Sequence, residues 1–368
     1  MNIPKKIKVL HVVEALGGGV YSYFRDLADI FGNDSRVSTI IVYSDLRTEI
    51  NPDHVRTDFH EKVKTVLIQM SREINLKNDS KSIKALIKVF NDEKPDIIHL
   101  HSSKAGVLGR IAYTLSSVKT NLYYTPHGYA FLQKDKSRNS RKFYKLIEKY
   151  TQKFFGGTTI ACGATEAKES TSLGLKTKLI SNGVPVDSIR NFKREHNNKN
   201  LTIGILGRIT FARNPEFFNE IALAHPDISF IWIGDGELRH LITSPNIEIT
   251  GWFTNKENAY FFLNSIDVYL QTSLWEGLPI ALLEAMALEK PIIATNIIGN
   301  KDVVNHGETG YLINDLEDFN KSIELLKDKN KRKKMGDAAL KRVVKEFNSD
   351  TNFKKLIELY LNDYSNKN

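Results

Sequence analysis

The chain has 368 residues, 41% hydrophobic and 26% charged, too long for one ordinary core and suited to two soluble domains. No apolar run approaches the roughly 20 residues that span a bilayer, which excludes an integral helical membrane protein. The formal charge of +9 asks for an acidic partner or a lysine-rich solvated surface; no nucleic-acid motif accompanies it, so nucleic acid is not expected as a partner.

The stretch up to Lys8 leads straight into a strand-like run, so no secretory signal is expected. Segments 7–13, 40–43, 66–70, 96–101, 122–124, 159–162 and 178–180 read as strands. Between them, 21–31 has a helical pattern, and Ile83, Leu86, Ile87 and Phe90 mark one helix face at i, i+3, i+4 and i+7. Near-continuous apolar strands alternating with helices predict a parallel sheet covered on both faces. Cys162, the only cysteine, closes one of these runs; it is assigned to packing and fits a reducing cytoplasm.

Residues 134–153 are strongly basic, with Lys134, Lys136, Arg138, Arg141, Lys142, Lys145, Lys149 and Lys153 against only Asp135 and Glu148. Phe143, Leu146, Ile147, Tyr150 and Phe154 recur at helical spacing beside them. Such a helix either lies on an anionic membrane or turns its stripe to the domain core. A second basic run, 327–334, lacks aromatics and reads as a solvated helix end.

Polar, aperiodic residues 191–200 read as a connection between a first domain, 1–190, and a second, 201–349. In the second, 201–206, 228–233, 247–249, 268–271, 291–295 and 310–313 read as strands. The architecture expected is α/β, with two doubly wound Rossmann-like domains whose strand C-termini face an interdomain cleft, where such sheets bind ligands. The tail is amphipathic through Phe353, Leu356, Ile357 and Tyr360.

Chemistry-bearing residues cluster after strands. Gly17-Gly18-Gly19 precedes a helix, so Gly18 and Gly19 can present backbone amides to an anion, or form only a tight turn. A dinucleotide fingerprint would need glycine at Ser22 or Tyr23, which disfavours a nicotinamide oxidoreductase. His127, in Thr-Pro-His-Gly-Tyr after a strand, can hydrogen-bond a hydroxyl as neutral imidazole. His99 and His101 are taken to alternate on their strand and face opposite sides, hence to be poor joint metal ligands. The following Ser-Ser-Lys-Ala-Gly turn is a weak acceptor-side candidate. Gly207-Arg208, with Arg213 beyond, places two guanidinium groups after the first strand of the second domain, suited to phosphate oxygens. Gly236, in Gly-Asp-Gly-Glu, marks a tight turn after the next strand.

The most informative stretch is Ser-Leu-Trp-Glu-Gly-Leu-Pro followed by an Ala-rich helix with a second carboxylate. Glu276 stands before Gly277, Leu278 and Pro279, and Glu284 in the second helical turn, with Pro279 expected at the first helical position. The free amides of that helix start form an anion site between two acids that can grip hydroxyls.

This segment, with the glycine loop, His127, Ser181-Asn182-Gly183-Val184 and Arg208 in the same order, resembles the retaining GT-B glycosyltransferases of family four type. That group includes many bacterial polysaccharide and lipid-linked glycan transferases. The resemblance implies that Glu284 holds the donor ribose, that Glu276 holds the donor hexose, and that Arg208 and Arg213 hold the diphosphate. It further places His127 near the donor sugar, Gly18 and Gly19 beside the diphosphate, and Gly207, Gly236, Gly277, Leu278 and Pro279 around the nucleotide. The family usually has lysine where this chain has Arg213, a departure that keeps the charge. A terminal helix, 350–366, crossing back onto the first domain is also implied.

The reaction implied moves a hexose or N-acetylhexosamine from a nucleoside diphosphate sugar, UDP-linked by preference, to a glycan hydroxyl. The acceptor expected is polyprenyl-diphosphate-linked, with the enzyme in the cytoplasm or peripheral at the inner membrane face. No cofactor or metal is expected, since the arginines and helix amides can neutralise the leaving diphosphate. A UDP-sugar epimerase of the same fold and a non-catalytic subunit of a transferase complex stay open as alternatives.

Overall fold

The computed structural model describes every residue except 1–5, 15, 48, 49, 51, 197, 199, 254 and 368. The start used in the signal-peptide argument, and positions 197 and 199 of the connecting stretch, lie outside the described residues. The chain forms two compact units. The first comprises Met1–Leu132, Lys136–Asn182 and Ser349–Asn368, the second Gln133–Asp135 and Gly183–Asn348.

In chain order the elements begin β1 (Ile7–Val13), α1 (Gly18–Asn33), β2 (Val37–Tyr43), α2 (Pro52–Asp58), β3 (Lys64–Leu67), α3 (Leu76–Glu93) and β4 (Ile97–His101). They continue with α4 (Ser103–Leu115), β5 (Asn121–Thr125), a 3-10 turn at Ala130–Leu132, α5 (Arg138–Phe155), β6 (Thr158–Ala161), α6 (Ala164–Ser172) and β7 (Thr177–Leu179). The second unit has α7 (Val186–Arg190), β8 (Thr202–Leu206), α8 (Pro215–Ala224), β9 (Ser229–Ile233), β10 (Ile247–Ile249), α9 (Lys256–Ser265) and β11 (Val268–Gln271). It ends with α10 (Ile280–Ala287), β12 (Ile292–Thr295), α11 (Asn300–Val303), β13 (Gly310–Ile313), α12 (Leu316–Leu326) and α13 (Lys329–Glu346); α14 (Ser349–Ser365) returns to the first unit.

Both sheets are parallel and doubly wound. The first runs β3-β2-β1-β4-β5-β6-β7 and the second β10-β9-β8-β11-β12-β13. Strand order therefore reverses between β1 and β4, and again between β8 and β11, where such sheets open a crevice beyond their C-terminal ends. Alternation along β1 divides its side chains between two cores. Val9 and Val13 pack with Phe24, Leu27 and Phe31 of α1 and with Leu356 and Tyr360 of α14. Leu10 and Val12 pack with Leu86 and Phe90 of α3 and Leu108 of α4 on the opposite face.

The strand expected over 66–70 begins earlier and stops at Leu67. Ile68 still donates its amide to Tyr43, but Met70 donates to the Ser44 hydroxyl, so the ladder has ended although both residues stay buried. The change of unit falls at Gly183, ahead of the connecting stretch expected over 191–200. Val184 donates to the Phe347 carbonyl and α7 packs on α10, so this segment already belongs to the second body.

Helix ends follow local chemistry. Asn75 caps α3 through Asn78 N–H, and Asp315 caps α12 through Asp318 N–H. The basic run 327–334 spans the joint between α12 and α13, where Asp328 caps α13 and Lys329, Lys333 and Lys334 are exposed.

Candidate active site

Each unit gathers its candidate residues at its own switch point. In the second unit, β8 ends at Leu206 and leads into Gly207 and Arg208, with Arg208 exposed. A 3-10 turn, Phe211–Arg213, then brings Arg213 back, and the Leu274 amide donates to the Ala212 carbonyl, tying this loop to the one after β11.

Arg213 Nη1 donates to Glu276 Oε1 at 2.7 Å in a largely buried ion pair. The same Oε1 accepts from Ser273 Oγ at 2.8 Å and from Gln271 Nε2 at 2.9 Å. Tyr269 OH in turn donates to Gln271 Oε1 at 2.8 Å, which orients the amide. Four side chains therefore converge on the C-terminal end of β11. Sequence reasoning missed Gln271 and Ser273. Their signal was present as polar residues ending an apolar strand run, and both are fully buried.

Gly299 is another residue the sequence did not single out. Its φ is +90°, and a Cβ there would lie 2.7 Å from Glu276 Cβ and 2.9 Å from the Gly277 carbonyl. The glycine lets the β12–α11 loop close against Glu276. Gly236 serves a similar packing purpose, since a Cβ would sit 2.3 Å from the Ile209 carbonyl in the loop that carries Arg208.

Pro279 occupies the cap position, one residue before the first helical position expected for it, and α10 begins at Ile280. The amides of Leu282 and Leu283 turn back to the Pro279 carbonyl, so the helix is initiated by that carbonyl. Glu284 stands in the second turn, buried, and accepts from Tyr260 OH at 3.1 Å. Gly277 and Leu278 fill the loop between the two acids.

In the first unit, Gly17 caps α1, and Gly18 and Gly19 are exposed at its first turn, Gly18 with φ +53°. His127 also has a positive φ, +53°, unusual for a residue with a side chain. The turn is braced by Glu166, whose carboxylate accepts from Gly128 N–H at 2.9 Å and Cys162 N–H at 2.7 Å. Cys162 is buried, as its apolar run suggested.

His99 and His101 do not face opposite sides of the sheet. Residues two apart on a strand share a face, and both join His11 on the side covered by α1 and α14. His11 Nδ1 lies 3.0 Å from His101 Nε2, and His101 Nδ1 lies 3.0 Å from His127 Nε2. His99 meets Tyr360 OH of α14 through Nδ1 and Thr125 Oγ1 through Nε2. His11, His99 and His101 bring their ring nitrogens within 4.8 Å of one another, close enough to consider a metal. Yet both nitrogens of His99 and of His101 already have hydrogen-bond partners, so a cation would have to break that chain.

Burial pushes His11 and His127 down to about 3, and holds His99 and His101 well below the usual imidazole range. All four are neutral near pH 7, and each ring carries one proton. His11 Nε2 is buried without a partner among the described residues. An orphaned acceptor is tolerated better than an orphaned N–H, so we assign the protons as His11 Nδ1–H to His101 Nε2 and His101 Nδ1–H to His127 Nε2. His127 then carries its own proton on Nδ1, as a donor.

Known proteins match the sequence and the fold along nearly the whole chain. Residues 18–188 match Glycosyltransferase Family 4, and 187–342 match Glycosyl transferases group 1. Over 395 aligned positions covering 98% of each chain, the sequence is 31% identical to the Escherichia coli UDP-Gal:alpha-D-GlcNAc-diphosphoundecaprenol alpha-1,3-galactosyltransferase. The chain belongs to glycosyltransferase family 4. This family 4 glycosyltransferase is also 28% identical to the Staphylococcus aureus capsular polysaccharide biosynthesis glycosyltransferase CapM, over 80% of this chain and 84% of that one. Its fold matches sucrose-phosphate synthase from Thermosynechococcus elongatus with TM-score 0.82 at 15% identity, covering 98% and 100% of the two chains. It also matches Anabaena HepE, solved with UDP and glucose, with TM-score 0.76 at 16% identity, covering 96% and 99%. The fold is GT-B and the enzyme is a retaining hexosyltransferase. Among the described residues, no helix of this glycosyltransferase is long and apolar enough to cross a membrane.

Proposed function

We propose that the enzyme transfers a hexose or N-acetylhexosamine from a UDP-sugar to a hydroxyl of a polyprenyl-diphosphate-linked glycan at the cytoplasmic membrane face. The observation that carries this reading is the convergence of Arg213, Ser273 and Gln271 on one oxygen of Glu276 at the switch point of the second sheet. A carboxylate held in that way is oriented before substrate arrives, so it can hold hexose hydroxyls and stabilise positive charge developing at the anomeric carbon.

Glu284 is assigned to the ribose hydroxyls and Arg208 to the diphosphate, with Arg213 sharing its charge between Glu276 and the leaving group. Gly207, Gly236, Gly277, Leu278 and Pro279 shape the nucleotide side. In the first unit, Gly18 and Gly19 are assigned to a phosphate oxygen and His127 to a sugar hydroxyl through Nδ1–H. A double displacement needs a carboxylate free to attack. Glu276 Oε1 is already engaged by three donors, which favours same-face attack assisted by the departing phosphate. The E. coli relative, named for UDP-galactose and a diphosphoundecaprenol acceptor, supports the donor and acceptor classes.

The test is a donor panel of UDP- and GDP-sugars supplied to the purified protein with a lipid-linked glycan acceptor. Acceptor-dependent UDP release, with the anomeric configuration of the donor kept in the product, is expected. UDP release independent of acceptor would favour the epimerase, and none with any donor would favour a non-catalytic subunit.

A further inference from the structure

The helix α5 buries Glu148 and Gln152, packs Tyr144 against the core of the first unit, and leaves four large apolar side chains outside. On the inner face, Glu148 accepts from Ser103 Oγ at 2.8 Å and Tyr124 OH at 2.9 Å. Gln152 Nε2 donates to the Gly157 carbonyl and to Thr159 Oγ1, each at 3.0 Å, and Lys176 N–H donates to Gln152 Oε1. On the outer face Phe143, Leu146, Tyr150 and Phe154 are 53%, 51%, 43% and 72% exposed. At 3.6 residues per turn these four fall within about 80° of arc. Exposed Lys142, Lys149 and Lys153 line one flank of the stripe. Beyond the end of α5 lies an open hollow of about 620 Å³ whose lining includes Lys149, Lys153 and Lys176.

An amphipathic helix of a soluble domain normally turns its apolar stripe to the core. Here hydrogen bonds from Glu148 and Gln152 anchor the helix, and the stripe is left outside. A second copy docking on this face would bring two sets of lysines together in an isologous contact. An anionic bilayer accommodates both features: aromatic rings enter the headgroup boundary, and ammonium groups meet lipid phosphates.

We propose that α5 docks the enzyme on an anionic lipid surface, with Phe143, Leu146, Tyr150 and Phe154 inserted and Lys142, Lys149 and Lys153 over the headgroups. This deepens the proposed function by naming the surface on which a lipid-linked acceptor is presented. The helix packs on the 3-10 turn Ala130–Leu132, where Lys145 Nζ sits 5.5 Å from the Phe131 ring centroid. That turn follows His127 closely, so the docking helix and the histidine share one packed body.

The full chain would be sedimented with vesicles of equal parts phosphatidylglycerol and phosphatidylcholine, and with phosphatidylcholine alone, without donor or acceptor. Binding to the anionic vesicles, released by high salt, is expected. Lys149→Ala with Lys153→Ala should lower the partition about 30-fold, from roughly fivefold per lysine. Phe143→Ser with Phe154→Ser should lower it about tenfold or more. Thermal unfolding of both variants should match wild type, because all four positions are exposed. Equal binding to both vesicle types, or wild-type partition of both variants, overturns the proposal. So does absence of vesicle binding together with a dimer that Phe154→Ser dissociates. No sugar chemistry enters the measurement, so a protein that binds vesicles but transfers nothing refutes the proposed function and leaves the docking surface standing.

Discussion

Arg213 and Glu276, 63 positions apart in the chain, form an ion pair of 2.7 Å at the end of β11. The roles proposed for them, diphosphate for one and hexose for the other, would therefore be coupled through this pair before any substrate binds. Arg213→Ala and Glu276→Gln should each reduce kcat/KM, and the double variant should fall short of their sum by about 0.5–3 kcal/mol, as expected for neighbours in one network. A double-mutant cycle on acceptor-dependent UDP release measures this; strict additivity would show that the pair does not act as a unit.

Arg208 is exposed at the end of β8, and its assigned work is on the leaving group. Arg208→Ala is expected to lower kcat by roughly 10²–10³, the usual consequence of losing one charge-stabilising donor. Glu284→Ala should instead weaken UDP binding, seen by calorimetry, with a smaller effect on kcat at saturating donor. Wild-type behaviour in both variants would refute these two assignments.

Gly299 tests whether the position of Glu276 matters beyond its presence. A Cβ at 299 would strike Glu276 Cβ and the Gly277 carbonyl, and φ +90° disfavours any L side chain. Gly299→Ala is expected to cost about 1–3 kcal/mol of stability from backbone strain and to depress transfer at temperatures where the variant is fully folded. Unchanged kcat in the folded variant would mean that the loop yields without moving the carboxylate.

The histidine cluster predicts acid sensitivity with a definite sign. His11 is neutral in the fold down to about pH 3, whereas unfolded it takes up a proton near 6.5. The unfolded state then binds more protons, so the contribution is fully present above pH 6.5 and is lost as pH falls toward 3. His99, His101 and His127 shift in the same direction. Urea midpoints should fall steeply across that window, and His11→Asn should flatten the slope. A midpoint independent of pH there would contradict burial of neutral imidazoles.

Every strand of both sheets was legible as an apolar run, although 66–70 was displaced, because strand length and alternation are local properties. The loops after β1, β5, β8 and β11 were legible for the same reason, since glycine, proline and charge at a strand end announce a turn. Gln271 and Ser273 were hidden because a polar residue ending a strand looks like the first residue of a loop. His99 and His101 were misplaced by miscounting the two-residue period. His11 drew no notice, because its partners come from other strands.

The sequence by itself determined two doubly wound domains and the order of the glycine, arginine and glutamate motifs along them, because both are written in nearest-neighbour spacing. Tertiary structure alone decided that Arg213 closes on Glu276, that β1, β4 and the loop after β5 pool their histidines with Tyr360 of α14, and that Phe143, Tyr150 and Phe154 of α5 face solvent. Each of these depends on which faces meet when segments tens or hundreds of residues apart pack together, and spacing within one segment carries no information about that.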